Sequence, residues 1–160
     1  MLDANTIVQD ITGYLDTNVP NQRNKSKGFG VEARHAKGGG SGNGYHSVRR
    51  TCYGPAGRFV ANIGVGIHGS DPDVDNLDIS IAFSPGQNKA YGGYNIESIW
   101  RPMAQDIYDL TGRKVYGVTM VTDWNGYKII RIPVSRKSYK DMVIAAVEVF
   151  NEFCDRNTKR

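Results

Sequence analysis

Cysteine is nearly absent from this chain: Cys52 and Cys154 are the only two in 160 residues. Two cysteines make neither a disulfide framework nor a four-ligand zinc site, and such sparing use fits a reducing compartment. Long apolar runs are missing as well. No stretch approaches the roughly 20 residues that cross a bilayer. The N-terminus, MLDANTIVQDITGYL, is acidic and amphipathic rather than basic and then apolar, so no signal peptide is read there. A cytoplasmic location without a membrane partner is the expectation.

Catalytic signatures are also lacking. Gly39 and Gly44 have the glycine spacing of a P-loop, but Tyr45 and His46 follow where lysine and a hydroxyl residue are needed. No register of GGGSGNG supplies Gly-x-Gly-x-x-Gly, and no helix is expected after it. Cys52 and Ser70, with His35, His46 and His68, occur in no nucleophile motif. His68-Gly-Ser70 resembles one half of the paired His-x-Ser/Thr motif of two-histidine phosphoesterases; neither His35 nor His46 supplies the other half. Glu32-Ala-Arg34 has arginine where a PD-(D/E)xK nuclease has lysine. Asp71, Asp73 and Asp75 match the first ligands of a calcium loop, but Asn76 replaces the turn glycine and Ala82 the bidentate glutamate. The balance is against an enzyme and against any cofactor.

Glycine and tyrosine, by contrast, are abundant, with 19 and 9 copies. Charge is unevenly spread. From Asn21 to Arg58 there are eight Lys/Arg and only Glu32 opposing them. From Phe59 to Asp109 seven acids face Lys89 and Arg101. From Leu110 to Lys140 seven bases face Asp123. Two basic blocks merged by folding would form a positive face.

Periodicity organises the rest into one α+β domain over residues 1–160. Asp3 caps a helix carrying Ile7, Val8, Ile11, Tyr14 and Leu15 at helical spacing, ended by Gly13 and by Asn18-Val19-Pro20. Phe29 to His35 alternates as a short strand. In RFVANIGVGIH, Phe59, Ala61, Ile63, Val65 and Ile67 share one strand face; the thin opposite face, with Gly64 and Gly66, invites close packing. LDISIAF repeats the alternation. A central helix spans about 98–110 with Ile99, Met103, Ile107 and Leu110 on one side and Pro102 in its first turn. Asn125-Gly126 suits a two-residue type I′ hairpin that sets Asp123 opposite Lys128 and Trp124 opposite Tyr127. Pro133 ends the second strand or makes it an edge. The last helix is expected to start at Ser138, with Asp141 as capping-box partner. These elements predict a mostly antiparallel sheet of about five strands with three helices: N-terminal, central and C-terminal. The element order resembles that of the DNA-reading domain of McrB-type restriction systems, a likeness of arrangement in which no motif residue matches.

Residues 37–47 read as a flexible glycine-rich loop. Five of the seven residues from Gly38 to Gly44 are glycine, and ordering each residue would cost about 1–2 kcal/mol of backbone entropy. Its flanks suit nucleic acid: Lys37, Arg49 and Arg50 for phosphate, and Tyr45, His46 and Tyr53 for base stacking. Arg136 and Lys137 extend the set. The expectation is a nucleic-acid-binding module without catalytic activity, for DNA or RNA. The alternatives are a metal-dependent phosphodiesterase or nuclease using His68, Asp71, Asp73 and Asp78, and a small protein-binding inhibitor or adaptor.

Overall fold

A computed structural model describes residues 4–20, 45–54, 57–67, 77–84, 96–113, 121–122 and 128–157. Helix α1 is Ala4–Asn18, followed by strands β1 (Tyr45–Gly54), β2 (Gly57–Ile67) and β3 (Leu77–Ser84). Helix α2 is Ile96–Thr111, β4 is the pair Val121–Thr122, β5 is Lys128–Pro133, and helix α3 is Tyr139–Arg156. The architecture is α+β, with three helices and an antiparallel sheet. Among the described residues the strand order is β1-β2-β3-β5-β4, every pair antiparallel.

Helix α1 forms where its apolar spacing predicts. Ile7, Val8, Ile11 and Leu15 are fully buried, each removal from water contributing about 1.5–3 kcal/mol. Gly13 does not end it. That glycine is an exposed interior residue, and the helix stops at Asn18, where the Asn18 side chain donates to the Tyr14 carbonyl. Helix α2 begins earlier than expected, so Pro102 is an interior residue rather than a first-turn one. It removes one intrahelical donor from the second turn. Met103 and Ile107 are buried, but Leu110 is exposed. The helix ends on Gly112 in the left-handed region (φ 70°), whose N–H donates to the Tyr108 carbonyl at 2.7 Å.

The start of α3 departs from the expected capping box. Ser138 makes no side-chain cap bond within the helix. Ser135 takes that role: its hydroxyl accepts from the Ser138 N–H at 3.2 Å, while the Ser138 hydroxyl accepts from the Ser135 N–H at 3.1 Å. The reciprocal pair satisfies two terminal donors, with Ser in place of Asp as the partner three residues on. Tyr139, Met142, Val143, Ala146, Phe150 and Cys154 then face inward.

Strand β1 is the main departure from expectation. It occupies Tyr45–Gly54, so Tyr45, His46 and Ser47 belong to a strand and not to the loop assigned to 37–47. The strand expected at 29–35 and the loop residues 37–44 lie outside the described residues. The β4–β5 register also differs from a two-residue turn. Lys128 pairs with Thr122 rather than Asp123, and Val121 with Ile129. β5 ends at Pro133, as its missing donor requires, but it lies between β3 and β4 rather than at the edge.

Helices α1 and α3 cover one face of the sheet and touch each other; α2 packs on α3. The register carries a single alternation across the first three strands. Val48 is opposite Ile63, which is opposite Ile81; His46, Val65 and Ile79 form a second row, and Arg50 and Ala61 are paired. These residues face the helices, and all whose burial is described are buried. The other face carries Ser47, Arg49, Thr51 and Tyr53 of β1, Val60, Asn62, Gly64 and Gly66 of β2, and Asp78 and Ser80 of β3.

Candidate functional site

Period two decides which predicted site residues point towards the helices and which away from them. In a strand, neighbouring side chains point to opposite faces. Arg50 points at the helices and is 2% exposed. Its Nη2 donates to Asp155 Oδ1 at 2.7 Å, and its Nη1 lies 3.4 Å from both the backbone and side-chain oxygens of Asn151. His46 is likewise turned inward, its Nε2 3.0 Å from Asp16 Oδ1 on α1. Both were expected to touch nucleic acid. Instead they tie β1 to the helices, and burial removes them from the binding set.

Arg49 has the opposite surroundings. It sits on the face turned away from α1 and α3, half-buried, with Asn62 directly across on β2. Its Nε is buried and donates no hydrogen bond. A buried donor left without an acceptor costs about 1–3 kcal/mol, and more when it belongs to a charged group. A guanidinium in that condition suits an oxyanion, which it engages through two parallel N–H donors. Thr51 and Tyr53 follow on the same face, both half-buried. The Tyr53 N–H donates to the Asn157 carbonyl, which anchors this end of β1 to the end of α3.

The strip Arg49, Thr51, Tyr53 and Val60 is partly open, whereas the same face is closed farther along. Ser47 and Asn62 are 1% and 2% exposed, and Gly64, Gly66 and Asp78 are buried. Gly64 shows how closely β1 and β2 approach. A Cβ there would lie 2.5 Å from the His46 carbonyl oxygen and 2.8 Å from Ser47 Cβ. The packing predicted on the thin face of β2 therefore includes the neighbouring strand itself.

The other predicted site residues are dispersed. Tyr45 opens β1 opposite Gly66. Arg136 and Lys137 are exposed in the turn between β5 and α3. Lys37, His68, Asp71 and Asp73 lie outside the described residues. Asp78 is a strand residue, 7% exposed and paired with Gly66 and Pro133, not part of an open loop. Among the described residues no group of three or more His, Cys, Asp or Glu side chains could hold a metal ion.

Charge divides between the layers. Helix α2 exposes Asp106 and Asp109 beside Arg101. Helix α3 exposes Asp141, Glu148, Glu152 and Asp155 against Lys140 and Arg156, and Arg156 is paired with Glu152. Among the described residues neither helix offers a basic face. On the helical side, a groove of about 560 Å³ between α1 and α3 contains the Tyr139 hydroxyl, which donates to Asp10 Oδ2 at 2.8 Å. Burial, then this bond and the Asp10 charge, raise the Tyr139 pKa above its ordinary value.

The sequence reading missed two features. One is the commitment of Arg50 and His46 to the interior. The other is the contact between the Cys52 and Cys154 side chains, 102 positions apart in the chain. Val48 and Cys52 at even positions were the available signal for β1, but the polar residues His46 and Arg50 between them broke its apolar alternation. No protein-family model, curated protein or solved structure matches this chain.

Proposed function

We propose that the chain is a non-catalytic nucleic-acid-binding module that holds a single strand along the Arg49–Thr51–Tyr53 strip. The observation carrying this reading is Arg49, a half-buried guanidinium whose Nε has no acceptor. Phosphate can pair with the partly exposed Arg49 side chain, and the Tyr53 ring two strand positions beyond Thr51 offers a surface on which a base can stack. Arg136 and Lys137 supply a second cationic point. With β4 counted, the sheet is five strands wide, and β1 and β5 lie about 15 Å apart at ordinary strand spacing.

A single strand is favoured over duplex for a geometric reason. The major groove admits a helix or a two-stranded ribbon. The described faces of α2 and α3 are acidic or mixed, and the strip that carries Arg49 belongs to a wider sheet. A flexible strand can follow that surface with its bases splayed; a duplex cannot enter it.

The deciding experiment is a salt titration of binding to labelled single-stranded and duplex oligonucleotides of the same sequence. Single strands should bind more tightly, with log affinity falling by about 0.7 per phosphate contact for each tenfold rise in salt. Absence of binding at low salt, or affinity indifferent to salt, refutes the reading. Added Mg²⁺ should produce no cleavage of either oligonucleotide.

A further inference from the structure

We propose that Cys52 and Cys154 form a reversible dithiol–disulfide pair which, on oxidation by a hydroperoxide, cross-links strand β1 to the last turn of α3. Both are free and fully buried. Their proximity is fixed by the bonds around them. Arg50, two residues before Cys52 on the same strand face, reaches Asn151 and Asp155. Tyr53, the residue after Cys52, donates its N–H to the Asn157 carbonyl. These contacts lay residues 50–53 of β1 against 151–157 of α3. Cys52 and Cys154 fall in the middle of that seam and share a side-chain hydrogen bond.

The two thiols are unequal. The hydrogen bond with Cys154 lowers the Cys52 pKa, and the Arg50 charge acts in the same direction against the effect of burial. The same hydrogen bond and burial raise that of Cys154. Thiolate is the reactive form, and Cys52, on the same strand face as Arg50 and two positions from it, is assigned the first attack, with Cys154 resolving. The Cys52 thiolate attacks hydrogen peroxide; an S–O bond forms, the O–O bond breaks, and hydroxide leaves and is protonated to water. The sulfur of Cys154 then attacks the sulfenic acid. An S–S bond forms, the S–O bond breaks, and the departing oxygen takes the Cys154 proton and leaves as water. In sum, two thiols and one hydrogen peroxide give one disulfide and two waters, and a dithiol reductant reverses the change.

This inference is independent of nucleic-acid binding, and its test requires no ligand. The full-length protein is treated with hydrogen peroxide, cleared with catalase, then denatured in iodoacetamide and weighed intact. The expected product is a monomer about 2 Da lighter, the loss of two hydrogens, that resists alkylation until reduced with dithiothreitol. In Cys154→Ser, dimedone should trap a sulfenic acid on Cys52. In Cys52→Ser, Cys154 should remain unoxidised. Two alkylated cysteines after peroxide, a disulfide-linked dimer, or direct passage to sulfinic acid would overturn the proposal. The wild-type masses decide the matter even if a variant does not fold.

Discussion

Arg49 and Arg50 are neighbours in the chain with the same side chain, yet they have opposite surroundings. Arg50 lies under the helices with its charge matched by Asp155 and its donors near Asn151. Arg49 lies on the far face with a buried Nε and no acceptor. The strand period of two separates them. The result is a division between faces: β1 is anchored to the helices through one, while Arg49, Thr51 and Tyr53 stay half-buried on the other. A pair of consecutive arginines in a strand is therefore not a doubled phosphate clamp.

The sharpest way to break this contrast is to remove the anchor. Arg50→Ala empties a buried site and removes the bonds to Asn151 and to the largely exposed Asp155, and should cost about 2–4 kcal/mol in chemical denaturation. Arg50→Met, which refills the space without charge, should recover much of that loss. An Arg50→Ala midpoint close to wild type would mean that the anchor is not there. Next in size is Gly64→Ala, which forces a methyl group against the His46 carbonyl and Ser47. Overpacking of this kind costs about 1–3 kcal/mol, read as a lower denaturation midpoint. An unchanged midpoint would show that β1 and β2 are free to separate.

The opposite result is expected at the neighbouring arginine. Arg49→Ala should not lower stability, because it removes a buried donor that has no acceptor. Its affinity for single-stranded oligonucleotide should fall about tenfold, with the salt dependence shallower by about 0.7, the loss of one contact. If Arg49→Ala unfolds the protein, or binds as wild type does, the two arginines are not divided in this way.

The smallest effect probes the helical side on which the anchor rests. The Tyr139 pKa is raised in the folded state by burial and Asp10. Its stabilising contribution is therefore complete below the unfolded tyrosine pKa of about 10 and declines as pH rises above it, because the unfolded chain loses the phenolic proton first. Tyr139→Phe should lose about 1 kcal/mol at neutral pH and show a shallower loss of stability in the alkaline range. The same alkaline slope in wild type and variant would remove Tyr139 from that role.

Much of the fold was legible because simple repeats survive in it. α1, β2, β3 and α3 each bury a near-unbroken apolar stripe, and their positions follow from a period of 3.6 or of two. β1 was not legible for the same physical reason. His46 and Arg50 occupy core-facing positions, tolerated there only because Asp16, Asn151 and Asp155 meet them from elements distant in sequence. The Ser135 cap, the β4–β5 register and the interior Pro102 likewise depend on local geometry that residue type alone leaves open.

By itself the sequence determined the α+β character, the helix-facing alternation of β2 and β3, and the presence of cationic and aromatic residues around 45–53. Tertiary structure alone decided which of those residues is anchor and which is surface. Propensity and charge are properties of a residue, whereas burial and partnership are properties of a pair, and the partners of Arg50, His46 and Cys52 arrive only when α1 and α3 close over the sheet.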